Sequence, residues 1–340
     1  MTNILLVFTG GTIGSQLENG TIDTDSTAGF KLIRLFQQQY PNHNQVSFKP
    51  LQPVQILSEN LHPEIWRTVI AAIEAEDLSA FDGIIVTHGT DTLAFSAAAF
   101  GLYFGGLNIP MLLVSSNRTL DDPNANGLKN FLCAVEYIRQ NRRPGVFVPY
   151  QNPGRTMHVH IATRLSACQP LSGDFVSVQA KPYLTFEHGA FKQCHELPTT
   201  QDRPYRLRSQ FARILLIRPY PGLDYTHFNL DNADAVLHDL YHSGTACVSE
   251  QWGESHNLIA FSRQCRQRGL PLYLAPAIKS DAAYSSTREL LAQGVRIIWN
   301  TSIEAAHVKL MLAHGNFKDN RDIDDFLERD IAWEQIDANV

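Results

Sequence analysis

The chain has 340 residues, of which 44% are hydrophobic and 18% are charged, so it is long enough to bury a large core and to form two domains of ordinary size. Its formal net charge is -6 and it contains no long run of lysine and arginine, which disfavours a nucleic-acid partner. No apolar stretch reaches the roughly 18 to 20 residues of a membrane-spanning helix, and the five cysteines stand singly, which argues against a disulfide framework and a zinc ribbon.

The first half of the chain alternates apolar strands with helices. Residues 4–8 form an apolar run that ends at a Gly-Gly turn, and residues 83–87 form another that ends at a His-Gly turn. Such runs suit strands buried on both faces of a parallel sheet. The strands and helices predicted in this half lie at residues 4–8, 64–75, 83–87, 92–104, 110–115 and 145–148. We therefore predict the α/β class, with a larger N-terminal doubly wound α/β domain.

A change of composition marks the predicted domain boundary. Residues 196–209 lose apolar periodicity and gain proline, threonine and charge, as linkers do. We predict an N-terminal domain at residues 1–195, a linker at 196–211 and a smaller C-terminal α/β domain at 212–340. The elements predicted in the second half are strands at 212–218, 244–248 and 272–275 and a helix at 258–268. The charged tail, 319–340, carries apolar residues at helical spacing, and no role is assigned to it.

The Gly-rich turn after the first strand is the first candidate site. Residues 9–15 read Thr-Gly-Gly-Thr-Ile-Gly-Ser, and the glycines permit a tight turn that exposes backbone N–H groups at the carboxyl end of the sheet, where α/β proteins bind ligands. A nucleotide-phosphate cradle uses a similar turn, and structural turns are more common than either. This turn lacks the G-x-G-x-x-G spacing and the lysine of a P-loop, and it offers hydroxyl groups such as that of Thr12 instead.

A second turn carries hydroxyl groups and a carboxylate. Residues 87–93 read Thr-His-Gly-Thr-Asp-Thr-Leu, follow a predicted strand and open a predicted helix. Thr90 and Asp91 would then lie at the carboxyl edge of the same sheet. Taken alone, either residue is as readily explained by a helix-capping role as by a role in a site. The occurrence of both turns in one domain favours a joint site.

Together the two turns resemble the bacterial asparaginase/glutaminase family. The likeness extends to residues 58–66, which resemble the family's third substrate segment, and to residues 300–310, which resemble its C-terminal domain pattern. The Ile-Gly-Ser ending of the first turn is similar to the cytoplasmic type I branch rather than the secreted type II branch. The start of the chain lacks the basic residues and the cleavage site of a secretion signal, so we expect a cytoplasmic protein.

The resemblance implies a catalytic apparatus for the side-chain amide of L-asparagine. Thr12 would be the nucleophile that forms an acyl-enzyme, and Thr90 would orient the amide or the attacking water. Backbone N–H groups of the two glycine turns would stabilise the oxyanion. The residues implied to bind substrate are Gly11, Ser58 for the α-carboxylate, Glu59 at the amino-acid head group, Gly89, Thr90, and Asp91 for the α-ammonium. The resemblance also implies a small-molecule substrate and no cofactor. It implies a homodimer or homotetramer, with neither nucleic-acid nor membrane partners.

Two positions depart from the family pattern. Thr21 stands where the family has the tyrosine thought to activate the nucleophile, and His158 stands where it has a lysine beside the second threonine. A neutral imidazole accepts a proton near neutral pH, so His158 is a candidate base. The alternative is a histidine that only hydrogen-bonds within a partly buried wall. His158 and His160 would share one strand face, but a metal site is disfavoured because no third ligand is evident.

These departures leave two functions open. The first is an asparaginase-type amidohydrolase with altered proton handling. The second is a catalytically weak or inactive homologue that binds amino acids as a sensor or regulator, because the predicted cradle is complete and the proton relay is changed. The relative that acts on tRNA-bound glutamate is disfavoured, since no basic surface or added RNA-binding domain is visible.

Overall fold

A computed structural model describes residues 1–11, 13, 15–18, 21–24, 28–140, 143–166, 169, 171–197, 205–280 and 282–337, with the backbone alone at 15–18, 21–24 and 28–30. The chain forms two compact units. One consists of Met1–Pro204 with Ile331–Trp333, and the other of Tyr205–Asp330 with Glu334–Val340. Both units contain a sheet and helices, which confirms the predicted α/β class. The predicted linker, 196–211, lies partly outside the described residues.

The larger unit is built on an eight-stranded sheet. Its described strands are β1 (Thr2–Val7), β2 (Ser15–Glu18), β3 (Thr21–Thr24), β4 (Val46–Leu51), β5 (Gly83–Thr87), β6 (Pro110–Val114), β7 (Gly145–Gln151), β8 (Met157–Ile161), β9 (Leu184–Glu187) and β10 (Ala190–Gln193). Its described helices are α1 (Ala28–Gln39), α2 (Pro63–Glu74), α3 (Leu93–Phe104) and α4 (Gly127–Arg139). The sheet order is β10-β9-β8-β7-β6-β5-β1-β4, and β2 pairs separately with β3.

Part of this sheet is parallel, as predicted, and part is not. Strands β4, β1, β5, β6 and β7 run parallel, whereas β8, β9 and β10 continue the sheet antiparallel. The central strands β1, β5 and β6 are apolar and buried along most or all of their length. Side chains from one face of this sheet share a core with aromatic residues of α1 and α4, including Phe36 and Phe131. Burial on both faces is what the uninterrupted apolar runs indicate.

Side-chain amides hold β6 and β7 together at their carboxyl ends. The backbone pairing of these strands stops at Leu112 and Phe147. Beyond it, the fully buried Asn130 donates to Ser115 O at 2.9 Å and accepts from Gln151 N at 2.9 Å. Asn130 therefore replaces the missing ladder where two parallel strands separate.

We expect Asn130→Ala to lower the free energy of unfolding by about 2 kcal/mol or more, because it leaves the partly buried N–H of Gln151 and the buried C=O of Ser115 without these partners. Denaturant titration of the wild type and the variant measures the effect. The exposed Asn124→Ala is the matched control. Equal unfolding midpoints for both variants would show that the amide bridge contributes nothing.

The smaller unit contains a four-stranded parallel sheet in the order β11-β12-β13-β14. Its strands are β11 (Ile214–Ile217), β12 (Ala235–Asp239), β13 (Leu272–Ala277) and β14 (Arg296–Trp299). Its described helices are α5 (Leu258–Gln267), α6 (Ser285–Ala292), α7 (Ile303–Asn316) and α8 (Asn320–Glu328). No helix in the described ranges is long and apolar enough to cross a membrane.

The strand predicted at 244–248 is wrong, and the strand in this region is β12. Gly244 adopts a positive φ of 72°, and its N–H donates to Tyr241 O across a turn. Residues 244–248 therefore belong to the connection that follows β12. The sequence pattern missed β12 because His238 and Asp239 interrupt its apolar run.

The tail does not form one helix through Trp333. The buried Lys309 ammonium donates to the carbonyls of Leu327 and Arg329, at the end of α8, and to Glu334 Oε1 at 2.6 Å. Cations at helix C-termini stabilise such carbonyls. Trp333 packs in the core of the larger unit, with its ring 6.0 Å from that of Phe147. The apolar residues of the tail are thus divided between the cores of the two units.

Candidate active site

Three loops meet at the carboxyl edge of the parallel strands. They follow β1, β4 and β5, which are neighbours in the sheet. Gly11 N donates to Ile56 O at 2.9 Å, and Ile56 N donates to Thr9 O at 3.0 Å, so the turn after β1 is fixed to the loop after β4. This convergence is the arrangement that the two motifs predict.

The turns after β1 and β5 are tied by a pair of threonines to which the sequence pattern assigned no role. Thr9 Oγ1 donates to Thr87 O at 2.6 Å, and Thr9 N donates to Thr87 Oγ1 at 3.4 Å. Both residues are buried. The sequence does contain a signal for this pair, because a threonine stands at the end of each apolar run and both ends lie at the same edge of the sheet. Each threonine satisfies backbone groups of the other strand where the ladder stops.

Glycine is required where the two turns touch. Gly11 has a positive φ of 76°, and a Cβ placed on it would lie 2.3 Å from Gly89 N. A Cβ on Gly89 would lie 2.4 Å from Ser58 Oγ. Any side chain at either position would separate the loops. The two glycines therefore allow the three loops to share one small volume.

The resemblance implied oxyanion donors among the N–H groups of the two glycine turns, without naming one. The N–H of Gly11 donates to Ile56 O, so it is not one of the groups available to an oxyanion. The backbone N–H groups of Gly89 and Thr90 have no hydrogen-bond partner among the described residues. These two donors lie in the turn that opens α3. Among the described residues, the N–H groups open to an anion at this edge therefore lie in the second turn.

Ser58 and Asp91 form a reciprocal pair. The Ser58 hydroxyl donates to Asp91 Oδ2 at 3.1 Å, and Asp91 N donates to Ser58 Oγ at 3.3 Å. Thr92 Oγ1 donates to Ser58 O at 2.9 Å and fixes the backbone of the same turn. Ser58 is buried, whereas Asp91 is exposed. The second carboxylate oxygen of Asp91 thus remains open to a cationic ligand.

Two further residues of these loops differ in burial. His88 is fully buried, its Nδ1 lies 2.8 Å from Gly89 O, and burial lowers its pKa below the ordinary value. A neutral His88 that donates from Nδ1 shapes the turn rather than taking protons from solvent. Glu59 follows Ser58 in a short 3-10 turn and is exposed, with no hydrogen-bond partner in the described part of the chain.

His158 lies at the same edge of the sheet, but not within the three-loop cluster. It is the second residue of β8, opposite Tyr150 near the carboxyl end of β7 and opposite Thr185 of β9. Strands β6 and β7 separate β8 from β5, and the described contacts include no hydrogen bond from His158 to Thr90. His158 is half-buried, and this desolvation lowers its pKa. Its imidazole is therefore neutral at pH 7.

Some predicted site residues lie outside the described part of the chain. Thr12 is one of them, and the side chain of Thr21 is another. His160 shares a strand face with His158, at a ring distance of 5.9 Å. No group of three or more histidine, cysteine, aspartate or glutamate residues in the described ranges is placed to hold a metal ion.

Comparisons with known proteins agree with this arrangement. Residues 3–196 match the family described as Asparaginase, N-terminal. A subunit of the glutamyl-tRNA(Gln) amidotransferase of Haloquadratum walsbyi is 27% identical over 341 residues, which cover 94% of this chain and 73% of the relative. The thermostable L-asparaginase from Thermococcus kodakarensis has a similar structure, with a TM-score of 0.80, 23% identity and coverage of 99% of this chain and 100% of that one. L-asparaginase I from Vibrio cholerae has a TM-score of 0.78, 20% identity and coverage of 98% and 99%. The two structural likenesses show a shared fold.

Proposed function

Since residues 3–196 match its N-terminal domain, this chain belongs to the asparaginase family, and we propose that it hydrolyses the side-chain amide of L-asparagine to aspartate and ammonia. We also propose that it acts in the cytoplasm as a homodimer or homotetramer of the type I branch. Thr12 is the proposed nucleophile, with Thr90 orienting the amide. No metal or cofactor has a role in this scheme.

The observation that carries the proposal is the Ser58–Asp91 pair. A free amino acid presents an ammonium and a carboxylate on one carbon, so its site needs an anion beside hydrogen-bond donors. Asp91 offers an exposed carboxylate, to which the Ser58 hydroxyl donates at 3.1 Å. In the proposed complex the substrate ammonium replaces this hydrogen bond on Asp91, and the Ser58 hydroxyl turns to donate to the α-carboxylate. The N–H groups of Gly89 and Thr90, which have no partner among the described residues, lie in the adjoining turn. The pair selects the α-amino acid, and the turn receives the amide oxygen.

In the proposed reaction the Thr12 hydroxyl loses its proton to a base as its oxygen attacks the amide carbon. The negative oxygen of the tetrahedral intermediate accepts hydrogen bonds from Gly89 N and Thr90 N, a stabilisation of roughly 3 kcal/mol per donor. The C–N bond breaks, and the leaving nitrogen takes a proton to depart as ammonia. Water then attacks the ester and restores the Thr12 hydroxyl. In this scheme Gly11 allows the two turns to approach and donates nothing to the oxyanion.

We propose that His158, which lies at the same edge of the sheet but outside the three-loop cluster, takes the proton through a bridging water, and this assignment predicts the pH dependence. An imidazole accepts a proton only in its neutral form, and desolvation lowers the pKa of His158 below 6.5. The rate should therefore rise with pH through a midpoint below 6.5 and reach a plateau by neutral pH. His158→Gln should remove this limb and lower kcat by about 10²-fold. A wild-type rate that is flat from about pH 5 to about pH 8 would contradict the assignment.

The curated relatives favour a second candidate within the same chemistry. The glutamyl-tRNA(Gln) amidotransferase subunit of Haloquadratum walsbyi is longer than the matched region, with 73% of it covered. By analogy, this chain would release ammonia from an amide for use by a partner protein. A sensor that binds amino acids without turnover is the third candidate.

Steady-state ammonia release separates the three candidates. An asparaginase should turn over L-asparagine at roughly 1 per second or faster, with a higher kcat/KM than for L-glutamine. A preference for glutamine, or activity that requires a partner protein, would favour the second candidate. Calorimetric binding of aspartate without ammonia release would favour the sensor.

A further inference from the structure

A buried histidine lies behind His158 with one ring nitrogen unsatisfied. His160 is 1% exposed, and its Nδ1 lies 2.7 Å from the hydroxyl of Ser177, which is 3% exposed. The other nitrogen, Nε2, is buried and has no hydrogen-bond partner in the described part of the chain. A buried polar atom without a partner destabilises the folded state. Such an atom indicates a role that the fold alone does not explain.

His158 is the neighbouring ring that can supply a partner. The two histidines alternate with core residues on β8, so both side chains leave the same face of the sheet. Their ring centroids are 5.9 Å apart, with the planes at 81°. Two imidazoles joined by a nitrogen–nitrogen hydrogen bond of about 2.9 Å have centroids about 5 Å apart. The broad χ2 torsion of histidine permits a shift of about 1 Å.

Burial fixes the protonation state of the inner ring. Desolvation, with a smaller contribution from the nearby His158, lowers the pKa of His160 to about 3. His160 is therefore neutral at every working pH and carries one N–H and one lone pair. The Ser177 hydroxyl can donate or accept, so it is compatible with either tautomer.

We propose that His160 is a positioning residue: it donates from Nδ1 to Ser177 Oγ, accepts the inner N–H of His158 at Nε2, and so turns the lone pair of His158 outward. A base must present a lone pair, and the hydrogen bond at one imidazole nitrogen decides which tautomer the ring adopts. In serine hydrolases a third group orients the base in the same manner. Here a neutral imidazole held by a serine does so. The expected effect on kcat rests on the proposed function, whereas the predicted tautomers of His158 and His160 do not.

Histidine nitrogen chemical shifts test the arrangement in the full-length protein without any need for turnover. Signals from His158 and His160 would be assigned among the thirteen histidines by loss of each signal in His158→Gln and His160→Gln. We expect His160 to carry its proton on Nδ1 and to stay neutral from about pH 5 to about pH 8. An Nε2–H tautomer of His160 would overturn the proposal, because the inner nitrogen would then donate to His158 and block a base.

Two nearly isosteric substitutions separate positioning from packing. The carbonyl oxygen of His160→Gln can accept the N–H of His158, whereas the side chain of His160→Met cannot. We expect His160→Met to lower kcat by about 10-fold or more at unchanged KM and to leave His158 as a mixture of tautomers. We expect His160→Gln to retain most of the wild-type kcat and a predominant single tautomer of His158. Equal effects of Gln and Met on the His158 signals would refute the relay even if both variants fold.

His238 in the smaller unit provides the matched control. It is also a buried imidazole bonded by a hydroxyl, with Tyr225 Oη 2.9 Å from Nε2. His238→Gln should leave the His158 signals and kcat unchanged, and a change as large as that in His160→Met would count against the relay. If the wild type releases no ammonia, the proposed function fails, but the wild-type tautomers still decide the relay.

Discussion

Replacement of Thr12 by alanine is expected to lower kcat for ammonia release from L-asparagine by a factor on the order of 10⁴ or more, because the proposed reaction forms its acyl-enzyme on the Thr12 hydroxyl. The variant loses one hydroxyl and one methyl group, and the Ser58–Asp91 pair remains. Aspartate should therefore bind with an affinity within about 10-fold of the wild type. Ammonia release and calorimetry on the same preparation measure the two quantities.

Thr68→Ala is the control for this result. Its hydroxyl donates to Glu64 O on the exposed face of α2, at 3.0 Å, and contacts none of the three loops. Its kcat should match the wild type. Wild-type turnover in Thr12→Ala would exclude Thr12 as nucleophile, and loss of aspartate binding would mean that the substitution disrupts the loops.

The second large effect concerns the charge of Asp91. Asparagine at this position keeps the acceptor for the Ser58 hydroxyl, which lies 3.1 Å from Oδ2, but has no charge to pair with an α-ammonium. We expect Asp91→Asn to lower kcat/KM for L-asparagine by about 10²- to 10³-fold, the usual effect of removing one partner of a desolvated ion pair. Succinamic acid, which is asparagine without its amino group, tests the reason for the loss.

The wild type should use succinamic acid poorly, and Asp91→Asn should use it no worse than the wild type does. An equal loss on both substrates would mean that Asp91 holds the loops rather than the ammonium. Asp77→Asn is the matched control, because Asp77 is also a carboxylate bonded by a serine, with Ser79 Oγ at 2.6 Å. It precedes β5 at the opposite edge of the sheet, and its kinetics should equal those of the wild type.

The convergence of the loops was predictable from sequence because apolar runs and turn residues are local signals. The strands before residues 9 and 88 end where their apolar runs end, and parallel neighbours place those ends at one edge. The role of Ser58 came from resemblance alone, because no local pattern shows that residue 58 contacts Asp91.

Other features depend on register and distant partners. The carbonyl of Ile56 accepts a hydrogen bond from Gly11 N because β4 pairs with β1 and places the loop after β4 beside the first turn. The sequence alone could not show that this N–H is unavailable to an oxyanion. Asn130 joins residues 115 and 151 with no periodicity to reveal it. Trp333 follows the helical spacing of α8, yet it packs in the other core. In each case the contact partner that decides the residue's role lies far from it in the sequence.

The most direct test of the proposed function is a crystal structure of the wild type with L-aspartate, the proposed product. We predict its α-ammonium on Asp91, its α-carboxylate on Ser58, and its side-chain carboxylate beside Thr12 with one oxygen accepting from Gly89 N and Thr90 N. Aspartate bound with its side chain away from Thr12, or bound outside the loops after β1, β4 and β5, would contradict the proposal.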